Sequence, residues 1–262
     1  MRSIALQVLL GLLGGVAVEG APPADTLDDL AKLSTEARRQ YVQTHSREEL
    51  SALFARTSTE SLIGAGKVLS QQFGTYEAHL IKSERISGKM LAPQSLTVHV
   101  RVKPLALRMD YLDGPGKGRR VLYDASQKKD ELFAREGGFL GLVALWVGID
   151  SSLAHGDSNH VVTELAFGAV VHTLESCFDK ARPLGGYARK DEGLDAKGRY
   201  CTTFTAPKGG EHLYATRAHL CIDPVWAVPL LMEIDDARGP LERLEFDQLK
   251  APVAADFSTD AI

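Results

Sequence analysis

Between residues 96 and 111 apolar and polar side chains alternate with hardly a break. Leu96, Val98, Val100 and Val102 alternate with Thr97, His99, Arg101 and Lys103; past Pro104, Leu105, Leu107, Met109 and Tyr111 alternate with Ala106, Arg108 and Asp110. A period of two suits a strand with one apolar and one polar face, and it does not suit a helix. Two such strands in succession must bury one whole face against another layer. Residues 76–86, 120–124 and, more weakly, 132–135 read as further strands, and Asp113-Gly114-Pro115-Gly116 reads as a turn. Connections this short join antiparallel neighbours.

Upstream the period is close to four. Leu30, Leu33, Ala37 and Tyr41 recur at helical spacing. Ser46-Arg47-Glu48-Glu49 and Thr57-Ser58-Thr59-Glu60 both have the form of a capping box. Leu50, Leu53 and Phe54 follow the first; Leu62, Ala65, Leu69 and Phe73 follow the second. Two or three short helices therefore precede Gly74. Downstream, residues 139–149 are strongly apolar, with Gly141 and Gly148 among them. Residues 159–178 carry Leu165, Val170, Val171 and Leu174, and both stretches read as a helical interlude. Strands return at 200–205, 213–222, 228–234 and 241–249, with turns at 207–210 and 235–239. The chain shows no internal repeat and no low-complexity linker. The expected fold class is α+β: a large curved antiparallel sheet, an incomplete barrel, covered by helices. A helical segment at 25–73 packs on the sheet, which spans 74–262 with a helical lid inserted near 139–180.

The N-terminus reads differently. Met1 and Arg2 supply a positive start, residues 4–18 are apolar but for Gln7, and Gly20, Ala21, Pro22 and Pro23 follow. That order is a secretory signal peptide over residues 1–20, cleaved after Gly20 or Ala21. The apolar run is shorter than the roughly 20 residues that cross a bilayer core. The first cysteine is Cys177, so no lipid-anchoring cysteine follows the run. The expectation is an exported, water-soluble protein of the periplasm or the extracellular space, without a transmembrane segment. Its formal charge of -4 survives loss of Arg2 and Glu19, and no basic block is present, which argues against a nucleic-acid partner. An oxidising compartment permits a disulfide. Cys201 and Cys221 are the first choice, because they face each other in a hairpin whose turn centres on Glu211; three buried thiols are the alternative. With Cys177 the count is odd, so one thiol stays free or pairs between chains.

Motifs for chemistry are sparse. His155, His160 and Glu164 are the candidates for metal or acid–base work. With a helix beginning near Asn159, His160 and Glu164 lie one turn apart on one face. Zinc needs at least three ligands and usually a tight pair of histidines, whereas these two are five apart with no third partner implied. Asn159 capping the helix, with His160 packed near its start, accounts for the same residues. No metal or cofactor is expected. Ser151 and Ser152 lack a nucleophile elbow. Residues 114–118 have the wrong spacing for a phosphate loop and follow an antiparallel strand, so they read as a hairpin turn. Lys117, Arg119 and Arg120 read as a solvated turn or as a contact for lipid headgroups.

Several segments, taken in order, resemble a bacterial secreted family called domain of unknown function 1571. They are Gly116-Lys117-Gly118-Arg119 with Val121-Leu122-Tyr123, Glu136-Gly137-Gly138-Phe139, and Asn159-His160 with Thr163-Glu164. Ile222-Asp223-Pro224 with Val228-Pro229 and Leu249-Lys250 with Asp256-Phe257 complete the series. The resemblance covers most of the chain after Gly74. Arg120 departs from it where the family has Glu, and Val161 where it has Pro. That family is similar to the LolA-like outer-membrane lipoprotein carriers, whose incomplete antiparallel barrel holds an apolar cavity under a helical lid. The resemblance implies that Leu96, Val98, Val100, Val102, Leu107, Met109 and Tyr111 line a cavity for acyl chains of lipid or lipoprotein, where the residues alone allow an ordinary packed core. A carrier of this kind must open its lid for release, which leaves room for an envelope protein partner, and the resemblance assigns no catalytic residue. The expected function is a periplasmic carrier or sensor of such chains. The alternatives are an envelope enzyme built on His160 and Glu164, and an interaction module with a filled core.

Overall fold

The computed structural model describes residues 25–138, 141 and 143–262. The expected signal peptide at 1–20 lies outside them, as do Phe139, Leu140 and Leu142 of the apolar interlude. Four helices come first: α1 (Leu27–Lys32), α2 (Thr35–Thr44), α3 (Arg47–Arg56) and α4 (Thr59–Ser70). Each begins on a hydroxyl. Thr26, Ser34, Ser46 and Ser58 accept the backbone N–H three residues on, which satisfies one of the donors a helix N-terminus leaves free. At Ser46 the capping box is complete, since the Glu49 carboxylate accepts the Ser46 N–H at 2.7 Å. The box expected at 57–60 is displaced by one residue. Ser58 is the cap there, because Thr57 already closes α3 by donating its hydroxyl to the Leu53 carbonyl at 2.8 Å.

Twelve strands follow: β1 (Thr75–Ile86), β2 (Lys89–Met90), β3 (Gln94–Arg101), β4 (Ala106–Asp113), β5 (Arg120–Asp124), β6 (Glu131–Arg135), β7 (Ala144–Gly148), β8 (Ala188–Leu194), β9 (Tyr200–Thr205), β10 (Arg217–Ile222), β11 (Pro229–Asp236) and β12 (Gly239–Lys250). They form one antiparallel sheet in the order β7-β6-β5-β4-β3-β1-β12-β11-β10-β9-β8, with β2 paired to β1. The sheet is open, with β7 and β8 at its edges. The longest strands, β1 and β12, pair at its centre, where Leu80 faces Phe246. Between the two edge strands in sequence runs α5 (Phe167–Ala181), which lies on the inner face of the sheet: Phe167 stacks on Tyr76 and Phe73. One contiguous core joins Phe54 and Leu69 of the first helices, Tyr76 and Phe246 of the sheet, and Phe167 of α5. The expected architecture, a large open antiparallel sheet covered by helices, is the one observed.

The interlude differs from its reading. Residues 144–148 form β7, an edge strand paired with β6, and not a helix. The stretch is apolar because Val143, Leu145 and Val147 border a cavity, a demand that period analysis cannot tell from helix burial. The long helix begins at Phe167, after a short 3-10 turn at Val162–Leu165, and not at Asn159. Asn159 does not cap it: its N–H goes instead to the buried Glu84 carboxylate. Strand β8 escaped the sequence reading altogether, since Arg189-Lys190-Asp191-Glu192 has the charged character with which proteins protect an exposed sheet edge.

The outer face carries small clusters of its own. Ala106 and Leu122 are covered by Phe257 and Ile262 of the C-terminal segment. Cys201 and Cys221, directly opposed on β9 and β10, are joined by a disulfide beside Leu231, and Cys177 is a free, half-buried thiol.

Candidate functional site

Inward-facing residues of β4 to β7 and the segment at 153–165 enclose a cavity of about 300 Å³. Met109, Val121, Leu132, Ala134 and Val147 form apolar walls, and Tyr111, Lys82, Arg119 and Asp157 form a polar end. Val143, Leu145 and Leu153 lie on its border and are 59, 54 and 70% exposed. Single exposed apolar residues are ordinary, but three around one opening form a patch. Of the seven residues expected to line a cavity, Met109 and Tyr111 do so. Leu96, Val98, Val100 and Leu107 are packed in the core at 1% exposure or less, and Val102 lies half-buried against that core, past the end of β3. The reason is position: β3 sits next to the central pair, where helices press on the sheet, while the void opens toward the β7 edge.

The polar end is held by buried charges on β1. Lys82 and Glu84 share the inward phase with Tyr76, Ala78 and Leu80. The Lys82 ammonium donates to Glu84 Oε1 at 2.9 Å and to the Asp157 carbonyl at 3.1 Å. Burial works against that ammonium, but its neighbours Tyr111, Glu84 and Asp157 together outweigh it and raise its pKa. Asp157 accepts from Gln94 at 2.9 Å and from Arg119 at 2.8 Å; these donors overcome burial and hold its carboxyl below the usual range. Glu84 also accepts the Ser158 hydroxyl at 3.0 Å and the Asn159 N–H at 2.5 Å. This carboxylate fixes the loop over the cavity and keeps residues 158–160 out of a helix.

His160 stands at the boundary with a second, smaller cavity. Its Nδ1 donates to Glu164 at 3.0 Å and its Nε2 to Glu242 on β12 at 2.7 Å. Burial lowers the imidazole pKa, but Glu242 and its companions Glu84 and Glu164 reverse the sign and push it up to about 9. Tyr214 donates to the other Glu242 oxygen at 2.8 Å, and burial followed by the Glu242 charge raises its phenol far above its ordinary value. The second cavity, about 60 Å³, lies between Val170, Leu174 and Phe178 of α5 and Phe204, Leu220 and Leu244 of the sheet. His160 and Leu165 border both cavities. Cys177 is on the wall of the smaller one, its thiol pKa pushed up by burial.

Glu84, His160 and Glu242 present ligand atoms within 4.8 Å of one another, the spacing of a metal site. The donor chemistry does not fit one. Both imidazole nitrogens already donate to carboxylates, and Glu84 already holds Lys82, so a cation would have to displace a proton and an ammonium. His155 is outside this cluster. The pairing of His160 with Glu164 does exist, through a loop and a 3-10 turn in place of the expected helix face. Facing Glu164 through one nitrogen and Glu242 through the other, His160 clamps this segment to β12. The sequence reading did not single out Lys82, Glu84, Asp157, Tyr214 or Glu242 for the site. Lys82 and Glu84 had left a signal: charged residues on the buried phase of a long strand.

Several solved structures match this chain at low identity. They include a putative outer membrane lipoprotein-sorting protein domain from Vibrio parahaemolyticus (11% identity, covering 76% of this chain and 96% of that one, TM-score 0.40). Lipoprotein LppX from Mycobacterium tuberculosis is another (15% identity, 76% and 100%, TM-score 0.41), as is a LolA superfamily protein from Nitrosomonas europaea (10% identity, 78% and 99%, TM-score 0.33). No curated protein sequence matches the chain. A family model described as protein of unknown function (DUF1571) matches residues 73–259, which hold the whole sheet, α5, the cavity and the His160 clamp. The chain therefore belongs to the DUF1571 family.

Proposed function

We propose that this protein is an exported carrier or sensor that holds an acyl chain of a lipid or lipoprotein in the cavity beneath the 153–165 loop. The observation that carries the reading is the cavity itself: about 300 Å³, apolar along its walls, polar at one end and bordered by exposed Val143, Leu145 and Leu153. An amphiphile matches that pattern. Its chain lies along Met109, Val121, Leu132 and Val147 and its polar end meets the Lys82–Arg119–Asp157 group. Each methylene removed from water contributes roughly 0.8 kcal/mol, so a long chain outweighs the cost of ordering it. Among the described residues no helix is long and apolar enough to cross a membrane.

The test is native mass spectrometry of the purified protein, with lipid extraction and titration of a fluorescent fatty acid alongside. A lipid-mass adduct or saturable uptake is expected, and both should be lost in the Leu145→Asp, Leu153→Asp double variant, whose sites are exposed and place no charge in the core. A bare mass together with no fatty-acid uptake by the native chain overturns the reading.

A further inference from the structure

The outer face of the sheet, on the far side from the cavity, carries a second arrangement. On β1 the inward residues Ala78 and Leu80 are fully buried, and His79 between them points outward. His79 Nδ1 lies 2.9 Å from Asp247 Oδ1, its direct partner on β12, and His79 Nε2 lies 2.7 Å from Ser95 Oγ on β3. An ionised carboxylate only accepts, so the proton of a neutral imidazole sits on Nδ1. Nε2 is then a lone pair, and the Ser95 hydroxyl donates into it. Three strands that meet only in the folded sheet thus bring together a hydroxyl, a base and a carboxylate that orients the base. That is the order required to activate a serine. We propose that Ser95, His79 and Asp247 form a hydrolytic site on the outer sheet face, acting on esters with good leaving groups.

In the first half-reaction Ser95 Oγ bonds to the ester carbonyl carbon as its proton passes to His79 Nε2. The tetrahedral adduct then collapses, the bond to the leaving oxygen breaks, and that oxygen takes the proton from His79. Water repeats the sequence on the acyl-serine: it gives a proton to His79, adds to the acyl carbon and expels Ser95, which recovers the proton. Ester and water become acid and alcohol, with no other reactant needed.

The surroundings set the substrate class. Ser95 is inside a strand and not on a strand-to-helix elbow, so no helix N-terminus stands behind it to receive the oxyanion. Leaving groups must therefore be good in their own right, as in aryl esters. Across β1 the partner of Ser95 is the half-buried Ile81. On β4 the register slips between the partners of Ser95 and Leu96, which leaves Leu112 unpaired in a bulge and 48% exposed. Bulges commonly re-aim a side chain beside a site. Ile81 and Leu112 give an aryl or short acyl group an apolar seat. The side chains of His79 and Asp247 are 23 and 32% exposed, so the base is open to substrate.

The experiment uses the full chain with p-nitrophenyl acetate and, separately, a fluorophosphonate probe followed by peptide mass mapping. The probe adduct is expected on Ser95. Hydrolysis is expected to fall by about a hundredfold, the usual weight of general-base help, in His79→Gln, and at least as far in Ser95→Ala, which removes the nucleophile. Asp247→Asn should slow both reactions while thermal unfolding stays that of the native chain. Fatty-acid uptake should stay native in Ser95→Ala, which separates this site from the acyl-chain reading. Absence of an adduct on Ser95, or undiminished hydrolysis by folded Ser95→Ala, overturns the proposal.

Discussion

The two halves of the sheet differ in what their inward side chains leave beneath the roof. On the β9–β12 side, Phe204 and Tyr187 both meet Phe178 edge-on, α5 lies directly on the strands, and about 60 Å³ remains. Nearer the seam Phe73 stacks on Trp226 and Phe167, filling the angle between α4 and α5. On the β4–β7 side Met109 and Tyr111 share the inner face with Val121, Leu132, Ala134 and Val147, the roof is a loop with one 3-10 turn, and about 300 Å³ remains. One sheet supports both outcomes. The regularity of the covering element decides whether a face becomes core or container. Where a helix supplies ridges that fit between strand side chains, the space closes. Where a loop is tethered by a few polar contacts, it stays open.

The tethers are the place to break that difference hardest. Glu84→Ala leaves Lys82 buried without its carboxylate and strips the loop of its acceptor. A loss of about 3–5 kcal/mol is expected in denaturant unfolding. A loss below about 1 kcal/mol would show that the open half does not depend on this pair. A smaller effect comes from the clamp between the halves. His160 has its pKa raised to about 9, so the folded state binds its proton more tightly than the unfolded one. The resulting stability is complete below about pH 6.5 and is lost as pH rises through 9; the shift corresponds to roughly 3 kcal/mol at most. Unfolding measured from pH 6 to 10 should show that slope in the native chain and a flatter one in His160→Asn. The mildest and most direct comparison swaps one residue in each half. Ala218→Leu, on the wall of the 60 Å³ space, should overpack and cost about 1–3 kcal/mol. Ala134→Leu, on the wall of the 300 Å³ space, should cost under about 1 kcal/mol and reduce fatty-acid uptake. Equal costs would erase the distinction drawn between the halves.

Much of the frame was legible because its residues obey a single period. The strict alternation at 96–111 marks β3 and β4, and the Ser46–Glu49 pair marks the start of α3. The misreadings fall where two demands share one residue. Leu145 and Val147 are apolar for a cavity, and so mimic a buried helix; Lys190 to Glu192 are charged and exposed along an edge, and so hide a strand. The candidate site was half visible. His160 and Glu164 stand four apart in the chain, but Glu242 and Tyr214 reach them only through the sheet and the 206–216 loop, at separations of 82 and 54 residues. Lys82 and Glu84 were readable as charges on a buried phase, whereas their partner Asp157 comes from a loop whose path no local pattern dictates.

The pairing of β1 with β12 also governs how the molecule can be made. Leu80 and Phe246 are neighbours across the central seam although 166 positions separate them, and β12 is the last strand of the sheet. A chain emerging N-terminus first therefore holds β1 with one flank unsatisfied until residue 250 is free. Loop closure over that distance is slow, and the exposed flank is open to pairing with other chains in the meantime. Assembly is a late event by construction: chains truncated before residue 239 should remain protease-sensitive along their whole length, and protection should arrive in one step once β12 is present.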